Sequence, residues 1–579
     1  MFNNPIDLTL FVVYIAFNIA LGLWVARRNK SGAKDYFLAG ERLPWYAIGG
    51  SIIAANISTE HFIGMVGIAY ATGFVVAQWE WGNWFTFSAL IWVFLPYYMR
   101  GGIYTMPEFL ERRYNKTCRY IFAVCSLVLW IIAQMAVVML AGGKALEGMF
   151  NFDQRFTIIA LAVLAGSYTI YGGLISVTWT DFLQFVVMML GGFIVAAVGL
   201  HRVGGIGELM HAAPEKFKFI YPIDDPDYPW FGVYTLFLSI GIWYNCTNQF
   251  IVQRCLGGRS EWDARMGVVF AGYMKIILPL LVVIPGIIAF KLYPGMEDPD
   301  QAYPKLVREL VPVGLGGIVM AGLASSLLSH LSSVLNSCST VFTMDLYKPL
   351  FAPRKMVDTP PVESYPGSGN TLSYARSTPE EVSERHLVFV GRLSAFLILA
   401  FATGLALWFT RGQHAIFLLL QNVGAWVAAP IAVVFLLGVL WRRATAEAAT
   451  FILIFGFPYT WFVEAVLFKQ VSFLTRFDNW LNRTFVVWAS CMVLMVIVSY
   501  LTPRPNAEKI KDIIWSWKVA KLPASERERN RGLRNLFLWW IIFVGIIAAL
   551  YAYILWFQFW GPGSQTVAST AAAAAAIGG

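Results

Sequence analysis

Apolar residues run through this chain in stretches long enough to cross a bilayer, with short polar interruptions between them. About fourteen such segments can be read, near 6–26, 44–73, 75–98, 119–149, 156–172, 178–200, 230–253, 264–291, 307–344, 388–410, 414–440, 446–468, 483–502 and 535–560. They lack the ten-residue alternation of barrel strands, so the pattern predicts an all-α polytopic membrane protein. Two segments are interrupted. Ala54-Ala55-Asn56-Ile57-Ser58-Thr59-Glu60-His61 sets polar groups and a carboxylate in the middle of the segment at 44, and Gly241-Ile242-Trp243-Tyr244-Asn245-Cys246-Thr247-Asn248-Gln249 does the same in the segment at 230. One reading is a kinked helix with its polar residues packed on neighbours. The other, favoured by the pairing of two such segments, is a helix unwound at mid-membrane whose free carbonyls face an ion or solute.

Basic residues sort the ends. Arg27-Arg28-Asn29-Lys30, Arg112-Arg113 with Lys116, Arg254 with Arg259 and Arg265, Arg442-Arg443 and the stretch Lys509 to Arg534 fall on one side if each segment crosses once, the cytoplasmic side by the positive-inside rule. Both termini are then outside, as are the acidic loops Asp224-Asp225-Pro226-Asp227 and Glu297-Asp298-Pro299-Asp300. The interrupted segments run in opposite directions, which predicts two five-helix units related by inversion. The expected organisation is an extra helix and loop at 1–43, a first repeat at 44–200, an extracellular loop at 201–229, a second repeat at 230–441 with a cytoplasmic insertion at 346–387, and extra helices and a tail at 442–579. Phe351 to His386, rich in Pro, Ser and Gly, reads as a linker. Lys509 to Lys521, with Ile513, Ile514, Trp515 and Trp517 among its lysines, reads as a membrane-surface amphipathic helix or a solvated connector.

Composition agrees: 58% of residues are hydrophobic and 13% charged, about half the charge of soluble domains. The net charge of +9 lies in clusters between apolar segments and on no continuous face, which disfavours nucleic acid as a partner. The six cysteines have no metal-type spacing and read as small reduced hydrophobes. The first segment is too long for a signal h-region and reads as a retained helix. No hydrolytic triad, zinc box or phosphate loop is present, so an enzyme and a cofactor are not expected.

Polar groups inside spans are costly and point to function. Glu80 lies between Trp79 and Trp81, a carboxylate flanked by flat apolar faces that suits a polyhydroxylated ring. Lys275 lies mid-segment and either shares that role or forms a buried ion pair with Glu80; Gln421 adds an amide. Ser326, Ser329 and Ser333 share a helical face, as packing residues or as the oxygen-rich lining of a small-cation site. Asp181 is a second cation site or an interfacial acid.

Asp35-Tyr36-Phe37-Leu38-Ala39-Gly40, Ala55-Asn56-Ile57-Ser58, Thr105-Met106-Pro107-Glu108-Phe109-Leu110, Tyr171-Gly172-Gly173-Leu174, Gln253-Arg254-Cys255-Leu256, Leu335-Asn336-Ser337, Phe342-Thr343-Met344-Asp345-Leu346-Tyr347 and Phe435-Leu436-Leu437-Gly438 resemble, in this order, the solute:sodium symporters, and specifically their sodium/glucose cotransporter branch. The resemblance covers nearly the whole chain. It implies an inverted five-plus-five-helix core with discontinuous first helices in each repeat. It also implies sugar contacts at Asn56, His61, Glu80, Asn83, Tyr244, Lys275 and Gln421, and gating residues at Met65, Trp79, Phe417 and Tyr244. The position after Tyr244, usually tryptophan in that branch, is Asn245. For sodium it implies the carbonyls of Ala54 and Ile57 with Ser326, Ser329 and the position of His330. An imidazole is a poor sodium ligand, and three accounts remain open: His330 turns aside, pairs with Asp181, or moves coupling toward protons. Asp181, Ser332 and Ser333 fall where some relatives hold a second sodium ion. The region Ile132-Ala133-Gln134-Met135 lacks the arginine of the sialic-acid branch, which disfavours an anionic sugar.

The expected function is sodium-coupled import of a neutral monosaccharide such as glucose or galactose across the plasma or inner membrane by alternating access, with sugar, sodium and the lipid bilayer as partners. A symporter for another polyol or small solute, a proton-coupled variant, and a membrane sugar sensor without net transport are the alternatives.

Overall fold

A computed structural model describes residues 4–28, 32–150, 152–351, 383–411, 414–471, 478–511 and 513–561, with the side chains of 148–150 and 414–425 outside the description. Its described residues form helices and connecting loops, with two isolated β-bridges. Among the described residues nine helices are each long and apolar enough to span a bilayer, and a bent pair makes a tenth. Two further spans, 78–101 and 230–256, are assembled from shorter pieces, a third is the helix His414–Leu440, and a kink divides one long helix in two.

In chain order the spans are α1 (Pro5–Arg27), α2 (Trp45–Asn56 and Glu60–Thr72), α3 (78–101), α4 (Lys116–Glu147), α5 and α6 (the two parts of Gln154–Val203), α7 (230–256), α8 (Glu261–Leu292), α9 (Gly316–Phe351), α10 (Glu384–Phe409), α11 (His414–Leu440), α12 (Ala446–Gln470), α13 (Trp480–Leu501) and α14 (Leu536–Phe559). The sets α2 to α6 and α7 to α11 each contain five spans and each begin with a broken helix. The fold is therefore the all-α inverted five-plus-five architecture, with α1, α12, α13 and α14 added.

Lipid is as apolar as a leucine side chain, so these helices are held by close packing of small residues and by hydrogen bonds. A Cβ on Gly49 would come 2.5 Å from the Gly267 carbonyl oxygen, so this glycine lets α2 and α8 touch along their backbones. Gly173 sits at the kink between α5 and α6 with φ 63° and ψ −155°, and a Cβ there would lie 2.3 Å from the Tyr36 carbonyl oxygen. The sharp turn thus needs glycine both for its backbone conformation and for space. Helix α9, buried along nearly its whole length, is the central element and packs on α1, α2, α5 and α6. Asp7 at the start of α1 accepts from Gly314 N–H (3.0 Å) and Gly317 N–H (2.8 Å), capping the start of α9.

Several sequence expectations change. The apolar run at 307–344 is two elements: a short helix Ala302–Leu310 and α9, separated where Pro312 and Gly314 (φ 90°) stop helix propagation. The insertion expected at 346–387 is shorter, because α9 runs to Phe351 and α10 begins at Glu384; most of it, like the Ala571–Gly579 tail, lies outside the described residues. Arg113, Arg254 and Arg265, taken as orientation signals, are buried inside the protein. Arg113 donates to the Gly438 and Trp441 carbonyls, and Arg265 pairs with Glu261.

In the strap at 507–534, the Lys509 to Lys521 stretch is no single amphipathic helix but two short turns, Ala507–Ile510 and Trp517–Ala520, and part of its apolar surface packs on protein while Trp517 stays 77% exposed. Ile513 and Ile514 are buried, and the Trp515 indole donates to the Trp92 carbonyl at 3.0 Å. Glu526 accepts from the N–H groups of Glu261 (3.1 Å) and Trp262 (2.6 Å), and Arg529 grips both carboxylate oxygens of Asp263 at 2.7 and 3.1 Å. The strap thereby caps α8, and Asp263 also accepts from Trp45 N–H (3.2 Å), the first residue of α2.

Gly173→Ala is expected to lower the melting temperature of the purified protein sharply, since about 1–3 kcal/mol of backbone strain adds to the clash. Gly404→Ala, where a Cβ meets nothing within 4 Å, should leave it unchanged.

Candidate solute and cation site

Helix α2 stops at Asn56. Ile57 is extended (φ −88°, ψ 122°), and Ser58 starts the second half by accepting from Glu60 N–H on its hydroxyl (3.2 Å) and from His61 N–H on its carbonyl (3.0 Å). Residues 60–65 then form a π-helical turn, and the two halves diverge by 65°. Breaking a helix this way strands carbonyls that lose their N–H partners. Two of them are met by α9: Ser329 Oγ donates to the Ala54 oxygen at 2.6 Å, and His330 Nδ1 lies 2.9 Å from the Ala55 oxygen. Ser329 Oγ is also 3.3 Å from the Ser326 carbonyl. The Ala54 carbonyl, the Ser326 carbonyl and the Ser329 hydroxyl therefore converge in a buried, uncharged oxygen cluster suited to a small hard cation. Ile57 is buried in the extended stretch beside it, whereas the Ser326 hydroxyl turns back to the Leu323 carbonyl (2.8 Å).

His330 does not pair with Asp181, contrary to one of the three sequence accounts. A carbonyl can only accept, so Nδ1 carries the proton, and Nε2 is buried with no hydrogen bond of normal geometry among the described residues. Asp181 instead binds Arg254. Its Oδ2 accepts from Arg254 Nη2 (2.9 Å), Ser51 Oγ (2.6 Å) and Ser333 Oγ (3.2 Å), and Arg254 Nε donates to Ser51 Oγ at 2.6 Å. A guanidinium thus stands where a second cation was expected among Asp181, Ser332 and Ser333, and Ser332 Oγ bonds to the Ser329 carbonyl at 3.0 Å. The sequence reading took Arg254 as an orientation signal and a motif residue and not as a partner of Asp181, because nothing in one dimension showed Asp181 facing it.

The second break, in α7, places Asn248 in extended conformation (φ −80°, ψ 125°) after a π turn at Trp243–Thr247. The stranded Cys246 carbonyl accepts from Tyr98 OH at 3.0 Å. Tyr244 stands beside Asn56 and packs edge-on against Phe250 (5.6 Å between ring centroids), which in turn meets the His330 ring at 5.9 Å.

Between the breaks lies a charged cluster. Lys275 Nζ on α8 donates to Glu80 Oε2 (2.6 Å) and to Asn56 Oδ1. His61 Nδ1 accepts from Ser58 N–H at 3.3 Å, which leaves its proton on Nε2, 3.3 Å from Glu80 Oε1. Both oxygens of Glu80 are engaged, and the residue is 1% exposed where His61 retains 15% of its side chain exposed. The ion pair with Glu80 is therefore formed, one face of the cluster is spent inside the protein, and the His61 edge stays accessible.

Asn83 is committed further than expected. Its Nδ2 donates to the Trp79 carbonyl (2.6 Å), and its Oδ1 accepts from Asn245 Nδ2 (2.7 Å), so Asn245 joins α7 to α3. Met65 is buried, and the half-buried Trp79 meets Tyr228 edge-on at 5.9 Å. Phe417 and Gln421 lie on α11 by sequence position, but their side chains are outside the described residues.

Two residues escaped the sequence reading. Glu60 is exposed within the break of α2, with Tyr244 and His330 in its field, and the Asn248 amide is buried with neither polar atom hydrogen-bonded. Both belong to the interrupted runs, and that membership was the available signal.

Comparison with known proteins places this geometry. Residues 36–359 match the Sodium:solute symporter family. The chain is 36% identical over 494 residues to a sodium/glucose cotransporter of Vibrio parahaemolyticus, covering 79% of this chain and 85% of the relative. It is 30% identical over 565 residues to the human sodium/myo-inositol cotransporter 2, covering 88% and 79%. Its fold is similar to that of a Na+-coupled sialic acid symporter in a substrate-bound outward-open state, with a TM-score of 0.71, 20% identity and coverage of 86% of this chain and 99% of that one. With two broken helices, an oxygen cluster at one break and this extent of sequence identity, the chain belongs to the sodium:solute symporter family.

Proposed function

We propose that this sodium-coupled symporter imports a neutral monosaccharide such as glucose or galactose. The observation that carries the reading is the Lys275, Glu80, Asn56 and His61 cluster at the junction of the two breaks. It offers donors and acceptors but no net charge, beside the aromatic ring of Tyr244 and next in sequence to Trp79. Polar groups bond a sugar's hydroxyls while flat rings cover its C–H faces. Myo-inositol, also an uncharged polyol ring, is the second reading, favoured by the sodium/myo-inositol cotransporters among the relatives.

The coupling follows from shared residues. Sodium held by the Ala54 and Ile57 carbonyls with Ser326 and Ser329 ties the inner half of α2 to α9, and Asn56, two residues from each carbonyl donor or nearer, belongs to the solute cluster. The ion thereby orders the break at which the solute binds, and closure of Met65, Trp79 and Phe417 on one side with release past Tyr244 on the other completes the cycle. The basic side faces the cytoplasm and both termini lie outside, so entry of sodium into a negative interior contributes about 2.3 kcal/mol per 100 mV. Arg254 already neutralises Asp181, which supports a single sodium per solute.

Glu80→Ala and Lys275→Ala should each abolish saturable glucose uptake in proteoliposomes. Each single change leaves a buried charge unpaired at about 3–5 kcal/mol, so the double variant Glu80→Leu/Lys275→Met should recover thermal stability without recovering uptake. Unchanged uptake kinetics in both single variants would sink the site. Counterflow of labelled glucose should occur across the sealed membrane, which a binding-only sensor cannot support.

Sodium and proton gradients imposed separately should show uptake driven by sodium alone, with hyperbolic sodium activation. His330→Ser should retain sodium coupling and tighten sodium half-saturation by supplying a hydroxyl to the oxygen cluster. Uptake driven by protons in sodium-free buffer overturns the ion assignment.

A further inference from the structure

Glu464 lies inside α12, a span outside both repeats, and a carboxylate there costs a few kcal/mol on insertion scales unless it meets a partner. Its partner is the indole of Trp426 on α11, whose Nε1 donates to Glu464 Oε2 at 2.6 Å. Glu464 belongs to a π-helical turn at Val463–Leu467. π turns inside α-helices are uncommon and recur at functional positions. Of the five other π turns among the described residues, two form the broken parts of α2 and α7, and three lie within α3, α4 and α9.

The contact falls on a defect in α11. Pro430 has no N–H, so the carbonyl four residues earlier, that of Trp426, loses its helical partner. Thr460 Oγ1 on α12 lies 3.2 Å from this carbonyl, sharing its proton with the Gly456 oxygen at 2.8 Å. Gly456 lets the helices approach there: a Cβ on it would stand 2.6 Å from Pro430 Cβ. Gly456, Thr460 and Glu464 are four residues apart and share one face of α12. That face therefore meets the proline, the stranded carbonyl and the indole of a single break. Beyond the break, toward the N-terminal end of α11, come Gln421 and Phe417.

We propose that Glu464 is a positioning residue for solute binding: with Thr460 and Gly456 it clamps α11 at Trp426 and Pro430 and so sets where the segment carrying Gln421 and Phe417 stands. The inference rests on the reading above that this segment borders the solute site. A helix lacking one hydrogen bond can pivot there, and the clamp selects one setting by holding both the backbone and the side chain of Trp426.

The test uses the full chain in proteoliposomes at saturating sodium, with labelled glucose and myo-inositol as probes. Glu464→Leu and Trp426→Phe should each raise the apparent KM about tenfold, the size of one lost hydrogen bond to a charged group, with maximal rate little changed; the melting temperature should hold in Glu464→Leu and fall in Trp426→Phe, which leaves the carboxylate without its partner. Glu464→Gln, which keeps an acceptor, should restore the KM, and the double variant Glu464→Leu/Trp426→Phe should be no worse than either single one. An unchanged KM in Glu464→Leu, additive single effects, or a Glu464→Gln as impaired as the leucine variant would each overturn the clamp. If Glu80→Ala abolishes uptake while Glu464→Leu leaves KM unaltered, the clamp alone fails.

A second readout needs no solute. In detergent, the maleimide labelling rate of Ala415→Cys should change equally with Glu464→Leu and Trp426→Phe and not with Glu464→Gln. An unaltered rate in all three overturns the proposal even if neither probe is transported.

Discussion

Unwinding a helix inside a bilayer strands backbone carbonyls where lipid offers nothing to bond them, and most of this structure depends on how that constraint is met. At the break of α2 the answer is α9, whose Ser329 hydroxyl and His330 imidazole reach the Ala54 and Ala55 oxygens. Only a helix buried on all sides presents such groups to one neighbour while packing α1, α5 and α6 with the rest of its surface. The small and hydroxylated composition of α9 follows from that position. The Ala54 carbonyl, which must be satisfied in the resting protein, is also one that the proposed cation would use, so structural need and the proposed ion binding meet on one atom.

The charged cluster obeys a related rule. Glu80 and Lys275 are buried together, and each makes the other tolerable, since a lone charge in that place would be strongly destabilising. Asn56 and His61 engage the remaining donors and acceptors, so the cluster presents a polar surface already organised in orientation. Because Asn56 belongs to the α2 break and Tyr244 to the α7 break, the cluster joins the elements that an alternating-access cycle must move relative to one another.

Elements outside the repeats hold these parts in register. The 507–534 strap caps α8 and, through Asp263, contacts the start of α2, while α12 holds α11 at its proline. Both supports act at places where a helix lacks its own backbone bonds: an N-terminus in one case and a proline gap in the other. The extra helices thus complete hydrogen bonding that the ten-helix core leaves open.

The fold was largely legible in the sequence because membrane helices announce themselves by length and hydropathy, and the two polar interruptions at Asn56 and Asn245 stand out against apolar flanks. Polar groups at those breaks, together with Glu80 and Lys275, were legible for the same reason: a costly residue in hydrocarbon needs a partner. Beyond the Glu80–Lys275 ion pair, pairing was not legible. That Arg254 turns inward to Asp181, that His330 bonds Ala55, that Asn83 is spent on Asn245 and that the 507–534 stretch packs on protein are contacts between residues from about 70 to more than 400 positions apart, and hydropathy carries no information about which distant surfaces meet. The chain's pattern determined which groups had to be satisfied inside the membrane, and packing in three dimensions decided by whom, because a hydrogen bond needs a partner within about 3 Å and only the tertiary structure sets that distance.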